Sequence, residues 1–424
     1  MAKLRPDKSI PFGKPTSDKP VAEKTPAKPT SKSPAGAHKL NTKPEVPKPA
    51  KSSLDSQKKR GHAEQSARAL TNDADSAKND RVGYLLQSPP GLAKVLQREL
   101  NFVGATTRDQ KLFVKLQRNH DLLFLNHIKS DDRLTELRTA ETVLRCPAYG
   151  RFKISQRQLS LMAEELKAAG PRRLVVTVAG KQFQRQDLAR FLNKAMSERG
   201  YEFDDQVEDE VWMFTIDESW YFGLPLFKAR NMSHRNERAE EREGALPPPI
   251  AAAMAFASVP RPDDVVLDPT CGSGTLLAEF YSYSPQATLI GCDIDANAIS
   301  VARKNLSGVA NARFLKVDSR TLGAKDATND DSPIVAGVSL VLANLPFGVQ
   351  FGDKKTNPEL YRDILKACLR VRNKTTAWRG VFLTSDTDAF EAAVRDVSDL
   401  TSPETLFKVK VRGELATCYR VKLK

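Results

Sequence analysis

Blocks of apolar and polar residues alternate regularly over the second half of the chain. From Pro249 onward, short apolar runs typical of buried strands alternate with longer segments of helical periodicity. The predicted strands are DVVLD, ATLIGCD, ARFLKVD, SLVLANLP and GVFLTS, and the predicted helices are IAAAMAFAS, TLLAEFYSYS, ANAISVARKNL, PELYRDILKACLRVR and DAFEAAVRDV. Two runs of period-two alternation follow, joined at Arg412 to Glu414, and predict a hairpin. This order predicts an α/β fold, with a doubly wound parallel sheet and an antiparallel edge.

The preceding region has shorter and less regular blocks. It begins with a predicted strand (VGYLLQS), a helix (AKVLQRELNFVG) and a strand (LFVKL), followed by a polar, mixed segment that reaches about Arg151. A helix from Ile154 to Ala169, the strand RRLVVTVAG, the helix RQDLARFLNKAMSERG and the strands VWMFTIDES and WYFGLPL come next. We therefore predict an α+β module over residues 81–227, a charged linker over 228–248 and the α/β domain over 249–424.

Residues 1–80 differ from the rest in composition. Ten of the first 50 are Pro and large apolar residues are scarce, so this segment cannot bury enough apolar surface to offset its chain entropy. We expect a disordered tail. Its 17 basic and 9 acidic residues carry +8 of the net charge of +14. The tail is either a solubilising spacer or a basic arm for nucleic acid, and only deletion of an arm would weaken nucleic-acid binding in a salt-dependent way.

Composition also excludes several classes of protein. No uncharged apolar run approaches the roughly 20 residues of a membrane-spanning helix, and the first residues lack the apolar stretch of a secretory signal. The five cysteines are far apart without a CxxC pair, and the five histidines do not cluster with them. We expect a cytoplasmic protein with no membrane span, disulfide framework or metal site.

The first predicted strand of the α/β domain runs into the glycine-rich string DPTCGSGT. Gly272 and Gly274 let the backbone approach a ligand at the carboxyl end of the strand, where open α/β sheets bind ligands. A dinucleotide fingerprint would have a third glycine at the position of Leu277. Asp268, just before the turn, would repel a phosphate and suits a ligand with an ammonium group. The turn therefore favours a ligand other than a dinucleotide.

Two further predicted strands also end in acidic residues. Asp293 is placed to accept hydrogen bonds from a ribose diol, and Asp318 lies where an adenine amino group could donate. Three acidic strand ends around a glycine turn fit S-adenosylmethionine, which offers an ammonium group, a ribose and an adenine. The predicted cofactor-binding residues at these three strand ends are Asp268, Pro269, Cys271, Gly272, Ser273, Gly274, Thr275, Asp293, Ile294, Asp318 and Ser319.

The fourth strand of the domain ends in NLPFG, the most specific string of the protein. An exocyclic amine on a nucleobase is a poor nucleophile, and an enzyme helps by accepting its hydrogen bonds and holding it in line with the sulfonium. Asn344 supplies a side-chain oxygen, and Leu345, held extended by Pro346, supplies a backbone carbonyl. Phe347 offers a face on which the base can stack. We predict these four residues as catalytic, with no strong general base required.

The region from Arg242 to Lys424 resembles class I, Rossmann-like S-adenosylmethionine-dependent methyltransferases whose fourth strand carries N/D-P-P-Y/F. The whole ordered part resembles the THUMP-containing RNA guanine-N2 methyltransferases, which act on tRNA or on 23S-type rRNA. The strings that carry the resemblance are SPPGL, QREL, KQFQRQDLARFLNKA, WYFGL, EGALPPPIAAAM, DPTCGSGT, GCDID and NLPFG. This chain departs from the common motif at Leu345, where the motif has Pro, which weakens any transfer of the base identity from that motif alone.

The resemblance implies that the upstream module, ferredoxin-like plus THUMP, binds structured RNA. It also implies that Leu246 and its neighbours up to Pro249 line the methionine end of the cofactor, and that Asn344 to Phe347 hold the target amine. The candidate phosphate contacts are basic residues of the module and the linker, namely Lys181, Arg185, Arg190, Arg230, Arg235 and Arg238.

The favoured function is transfer of a methyl group to guanine N2 in tRNA, or next in 23S-type rRNA. Adenine-N6 methylation of RNA or DNA is the alternative, because the same tetrapeptide serves that amine. A glutamine-N5 protein methyltransferase is disfavoured by the RNA-binding module. An RNA-binding or assembly factor with a methyltransferase-like body is disfavoured by the intact DPTCGSGT and NLPFG strings.

Overall fold

A computed structural model describes residues 82–105, 109–113, 120–126, 128, 131–179, 184–226, 245–324, 335–347 and 355–424. All of these residues fall within one compact unit. The predicted tail and most of the predicted linker lie outside the described residues. Within the described stretches, no helix has both the length and the apolar character that a membrane crossing requires.

The first sheet has seven strands in the order β2-β3-β1-β4-β7-β6-β5. Its strands are β1 (Gly83–Ser88), β2 (Asp109–Phe113), β3 (Asp121–Asn126), β4 (Thr142–Arg151), β5 (Arg173–Ala179), β6 (Glu210–Ile216) and β7 (Ser219–Pro225). Its helices are α1 (Ala93–Phe102), α2 (Gln156–Ala169) and α3 (Arg185–Ser197). Only the β5–β6 pair is parallel, because α3 crosses over between these two strands.

Two strands of this sheet lie in the segment that the sequence pattern left as polar and mixed. β3 and β4 flank β1, and each pairs with it in an antiparallel register. β4 contains Pro147 and Gly150, so its composition is atypical of a strand, and pairing with β1 and β7 determines its conformation. The strand predicted from LFVKL is shifted, since β2 begins three residues before that string and ends at Phe113.

The second sheet has the order β10-β9-β8-β11-β12-β14-β13. Its strands are β8 (Val265–Asp268), β9 (Thr288–Asp293), β10 (Ala312–Lys316), β11 (Leu340–Asn344), β12 (Arg379–Thr384), β13 (Glu404–Val411) and β14 (Glu414–Lys422). The helices are α4 (Pro248–Ala257), α5 (Thr275–Tyr283), α6 (Ala296–Asn305), α7 (Asn357–Arg370) and α8 (Thr387–Arg395). The first five strands are parallel, and β14 joins them antiparallel. The predicted α/β fold with an antiparallel terminal hairpin is confirmed.

Residues of the central strands alternate between two apolar cores, one on each face of this sheet. On β11, Leu340 and Leu342 face the core that includes α4, α5 and α6, whereas Val341 and Ala343 face the core formed with α7 and α8. All four side chains are fully buried. A parallel sheet covered on both faces explains why these strands read as continuous apolar runs.

The first sheet packs against the second through α1. Leu92 and Val95, at the start of that helix, belong to the same apolar core as α4. At its other end, Phe102 packs edge-to-face on Phe256 of α4 at a centroid distance of 5.6 Å. Because α1 shares this core with α4, the front module (residues 82–226) has a defined position against the α/β domain.

A buried polar network lies beside this apolar contact. The Glu99 carboxylate accepts hydrogen bonds from the backbone N–H groups of Arg138 (2.8 Å) and Thr139 (2.9 Å) and from the Tyr283 hydroxyl (2.5 Å). The Arg138 guanidinium also forms an ion pair of 2.9 Å with Glu279 of α5. Burial raises the pKa of Glu99, and it raises the pKa of Tyr283 well above its usual value. The two bonds of this network that reach α5 join residues 141 and 184 positions apart in sequence.

Candidate active site

The carboxyl ends of three neighbouring parallel strands meet at one edge of the second sheet. β8 ends at Asp268, β9 at Asp293 and β11 at Asn344. The hydroxyl of Thr270 donates to the backbone carbonyl of Asn344 over 3.2 Å, which joins the glycine turn to the NLPF segment (Asn344 to Phe347). The structure thus brings together the two motifs that lie more than 70 residues apart in the sequence.

Asp268 is buried, and few groups around it offset the cost of burying a charged carboxylate. Its side chain is only 2 % exposed and accepts one hydrogen bond, of 3.0 Å, from the backbone N–H of Thr270. No described Lys or Arg forms an ion pair with it. Burial, with a smaller contribution from the neighbouring Asp293 carboxylate, raises the pKa of Asp268 to about 8. A cationic ligand next to this carboxylate would supply the missing compensation.

Both glycines of the turn have a positive φ, 53° at Gly272 and 78° at Gly274. At Gly274, a Cβ would lie 2.9 Å from Leu306, just after α6, and 3.3 Å from Ala302 of α6, so that this glycine allows the turn to pack against the helix. At Gly272, a Cβ would have no described heavy atom within 4 Å. The turn therefore faces open space at Gly272, on the side where a ligand can approach its backbone.

Asp293 stabilises the same turn. One carboxylate oxygen accepts a 3.0 Å hydrogen bond from the backbone N–H of Gly272, and the other accepts a 2.9 Å bond from the N–H of Asp295. Each oxygen keeps a lone pair for a ribose hydroxyl. Ile294, the next residue, is 69 % exposed, which is unusual for a large apolar side chain at a strand end.

Asp318 has a partner that its sequence context did not indicate. The Arg320 guanidinium forms a bidentate pair with its carboxylate, at distances down to 2.6 Å, and lowers the pKa of Asp318. The predicted strand end is wrong by two residues, because β10 ends at Lys316, and the acceptor oxygens of Asp318 are shared with Arg320. The adjacent Ser319 is buried, and its hydroxyl donates to the carbonyl of Pro269 in the glycine turn.

The remaining predicted cofactor residues lie in or behind the turn. Cys271 is buried, and burial raises the pKa of its thiol well above its usual range, so that it remains a thiol. The hydroxyls of Ser273 and Thr275 lie 3.1 Å apart. Leu246 is buried in the apolar core beneath α4.

The NLPF segment is held by hydrogen bonds along its backbone. The N–H of Leu345 donates to the carbonyl of Leu383 over 3.0 Å, and the Tyr361 hydroxyl donates to the carbonyl of Pro346 over 2.5 Å. Leu345 is buried with 2 % exposure, whereas Phe347 is partly buried against the core of α4 and α5. The segment therefore has a fixed conformation at the edge of the sheet.

The side-chain oxygen of Asn344 has no such partner. This Oδ1 atom is buried, and no hydrogen-bond donor among the described residues reaches it. An unsatisfied buried acceptor costs about 1–3 kcal/mol, and a ligand that donates to it would remove this cost. The amine of a substrate is such a donor.

Two residues of this site were not singled out from the sequence. Thr270 belongs to the DPTCGSGT string and joins it to Asn344. Tyr361 lies on α7, and its hydroxyl, 3.1 Å from that of Thr384, is buried under the segment. Its sequence signal is weak, because Asn357 and Tyr361 are two polar positions four residues apart on an otherwise apolar helix face.

The predicted RNA contacts are only partly described. Arg185 and Arg190 are exposed on α3, and Arg190 pairs with Asp187 at 3.4 Å. The other four predicted contacts, Lys181, Arg230, Arg235 and Arg238, lie outside the described residues.

Known proteins resemble this chain in sequence and in fold. Residues 235–415 match the family model described as RMKL-like, methyltransferase domain (UPF0020). The crystal structure of TrmN from Thermus thermophilus superposes with a TM-score of 0.67 at 22 % identity, over 81 % of this chain and 100 % of that chain. Residues 235–415 therefore resemble an RMKL-like methyltransferase domain, and the chain shares the fold of this solved structure.

Two sequence relatives have more specific names. The tRNA (guanine(6)-N2)-methyltransferase of Thermus thermophilus is 30 % identical over 218 residues, which are 50 % of this chain and 62 % of the relative. The mouse protein named tRNA (guanine(6)-N(2))-methyltransferase THUMP3 is 29 % identical over 178 residues, 41 % of this chain and 35 % of the relative. The chain thus matches about a third of the length of the mouse protein and less than two thirds of the bacterial one.

Proposed function

We propose that this protein transfers a methyl group from S-adenosylmethionine to the exocyclic N2 of guanine in RNA, with tRNA as the first substrate and 23S-type rRNA as the second. The observation that carries the proposal is the buried Asn344 Oδ1 atom, to which no described residue donates, at the same sheet edge as Asp268. The Asn344 oxygen suits the amine of a substrate, and the Asp268 carboxylate suits the ammonium group of the cofactor.

The residues at the carboxyl edge fit this cofactor. No described cationic side chain pairs with Asp268, and an ammonium group would supply that partner. Asp293 has lone pairs for the ribose diol, and the exposed Ile294 offers an apolar surface for adenine. When bound, the cofactor supplies an activated methyl group on a sulfonium. The open space at Gly272 allows close approach of the turn's backbone to the ligand.

The NLPF segment would hold the amine that receives the methyl group. Asn344 Oδ1 accepts a hydrogen bond from the amine, which raises the electron density on its nitrogen and fixes its direction. Phe347 would stack on the base. Because Tyr361 and Thr270 hold the backbone on either side, these groups are preorganised, and no reorganisation is needed at the moment of transfer.

RNA is the proposed substrate for two reasons. The Thermus and mouse relatives carry names of tRNA guanine-N2 methyltransferases. The chain also has a second seven-stranded module, packed on the methyltransferase domain through α1, which we propose to be the ferredoxin-like and THUMP part that binds RNA. Its exposed Arg185 and Arg190 are proposed phosphate contacts, together with the four basic residues outside the described stretches.

The test uses the purified protein, deuterium-labelled S-adenosylmethionine and separated tRNA and rRNA from a strain that lacks the protein. Digested RNA is analysed by mass spectrometry for labelled nucleosides. We expect label in N2-methylguanosine from the tRNA fraction. Label only in N6-methyladenosine would replace guanine with adenine as the target. Absence of label from both RNA fractions would refute the proposal, and absence of a thermal shift with the cofactor would favour a binding factor.

A further inference from the structure

The outer strand of the terminal hairpin has a row of basic side chains. On β13, the exposed Lys408 and Lys410 alternate with apolar residues that are buried in the core, and the exposed Arg412 follows the strand in the hairpin turn. Because side chains on a strand alternate between faces, Lys408 and Lys410 project from the same face, and Arg412 lies next to their end of the strand. We call these three residues the basic ridge.

The basic ridge lies on the carboxyl side of the second sheet, which is also the side of the candidate active site. Backbone pairing places Asn344 opposite Leu383, Leu383 opposite Cys418 and Cys418 opposite Phe407. Phe407 therefore lies in line with Asn344, three strands away, at a distance of about 15 Å for a strand spacing of about 4.8 Å. The next residue along β13 is Lys408, so that the whole ridge lies on the carboxyl side of this line.

The charges of the ridge are not neutralised by ion pairs. No described acidic residue forms an ion pair with any of its three residues, although the exposed Glu414 lies at the hairpin turn. By contrast, at the opposite end of the same hairpin, Arg420 forms an ion pair of 2.7 Å with Glu404. The Arg412 guanidinium makes only a hydrogen bond of 3.3 Å to the carbonyl of Ala245.

The ridge also lies at the junction with the front module. A Cβ built on Gly91, in the turn before α1, would lie 1.8 Å from the carbonyl oxygen of Lys408, so that only glycine fits there. The backbone of this turn thus packs directly on β13, at the first residue of the ridge. A polyanion that contacts both the front module and the carboxyl edge would pass close to these side chains.

We propose that the basic ridge binds phosphodiester groups of the RNA substrate within a few nucleotides of the base held by Asn344. This inference rests on the proposed function, because it takes RNA as the substrate. Three neighbouring cations, with no ion-pair partner among the described residues and on the carboxyl side of the sheet, are complementary in charge to an RNA backbone. The ridge would orient the RNA and carry no base specificity.

The experiment compares two double variants that remove the same charge from the same hairpin. Lys408→Gln/Lys410→Gln alters the ridge, and Lys422→Gln/Lys424→Gln alters exposed lysines at the opposite end of the sheet. Binding of a fluorescein-labelled tRNA transcript to the full chain is measured by anisotropy over a salt series. For the ridge variant we expect at least about tenfold weaker binding, and a slope of log Kd against log salt that is smaller by about 1.5–2.

The control pair should bind within about twofold of the unaltered protein. Both variants should keep the Tm and the cofactor-induced thermal shift of the unaltered protein, and Arg412→Gln serves as a second ridge variant if the double variant fails to fold. In the methylation assay, we expect the KM for RNA to rise about tenfold while kcat stays within twofold.

Equal weakening by the two pairs, no weakening by the ridge pair, or no RNA binding by the unaltered protein would each overturn the proposal. Weakened binding of phosphatidylserine vesicles instead of tRNA would also overturn it, in favour of a membrane surface. RNA binding that depends on the ridge, without methyl transfer to any RNA, would support the ridge and refute the proposed function. The two proposals therefore fail in distinguishable ways.

Discussion

The hydroxyl of Tyr361 donates a hydrogen bond of 2.5 Å to the carbonyl oxygen of Pro346, in the middle of the NLPF segment. The same hydroxyl lies 3.1 Å from that of Thr384, whose oxygen accepts a hydrogen bond from the backbone N–H of Asp386. Burial raises the pKa of Tyr361 to about 12, so the hydroxyl keeps its proton and remains a donor over the whole working range of pH. A helix on one face of the sheet thereby positions the residues that would hold the substrate amine.

We expect Tyr361→Phe to lower kcat about tenfold or more, with little change in the KM for RNA or in cofactor affinity. The reason is that small displacements of a positioned acceptor reduce the rate steeply. Steady-state kinetics and a cofactor titration check this. Tyr419→Phe is the control, because it also removes a hydrogen bond of a partly buried tyrosine, to Glu391, away from the segment. Equal kcat values for the two variants would exclude a positioning role for Tyr361.

Asn344→Ala should abolish measurable methyl transfer, a loss of at least about 100-fold, because it removes the acceptor for the substrate amine. Cofactor affinity should remain within a few-fold of that of the unaltered protein. Asn344→Asp keeps an oxygen at this position and should retain more activity than the alanine variant. The measurements are turnover with labelled cofactor and calorimetric cofactor binding, and unchanged turnover of Asn344→Ala would refute the mechanism.

Cofactor binding should strengthen as the pH rises towards about 8. In the free protein, the pKa of Asp268 is about 8, so well below this pH the carboxyl is mostly neutral and attracts an ammonium group weakly. Cofactor titrations at about pH 6 and pH 7.5, a range in which the ammonium group of the cofactor largely keeps its proton, should therefore differ, with tighter binding at the higher pH. Asp268→Asn should bind the cofactor weakly at both, and a pH dependence that persists in this variant would assign it to another group.

The same carboxyl should affect the stability of the cofactor-free protein with the opposite sign. Its pKa is raised from about 3.9 in an unfolded chain to about 8, so the unfolded chain loses its proton first and stability falls as the pH rises between these values. Asp268→Asn cannot ionise, and we expect its Tm to exceed that of the unaltered protein by about 5 °C or more at pH 8.5. Thermal unfolding at pH 5.5 should show a much smaller difference.

The junction between the two sheets should depend on Arg138. Arg138→Ala removes the guanidinium that pairs with the buried Glu279, and we expect a loss of about 2–4 kcal/mol in the free energy of unfolding. Arg133→Ala is the matched control in the same stretch, because its ion pair with Glu136 is exposed and contributes less than about 1 kcal/mol. Chemical denaturation of the two variants measures the contrast, and equal losses would show that the buried pair adds nothing to the junction.

The order and type of most elements follow from the sequence, because they depend on local periodicity. Apolar runs such as VVLD and LVLAN are strands in the structure, and the glycine turn and the NLPF segment lie at strand ends as predicted. The sequence pattern did not predict β3 and β4, because their strand conformation is determined by pairing with β1. A local pattern carries no information on such a partner.

The sequence by itself determined which chemical groups are available at the candidate site: a carboxylate before a glycine turn, and an amide, a proline and an aromatic ring at the end of a later strand. Only the tertiary structure decided the protonation, the hydrogen bonding and the position of these groups. Burial raises the pKa of Asp268, the Asn344 oxygen has no described partner, and Tyr361 holds Pro346 from another helix. Solvent exclusion and contacts between distant segments depend on packing in three dimensions, which is absent from the local pattern of residues.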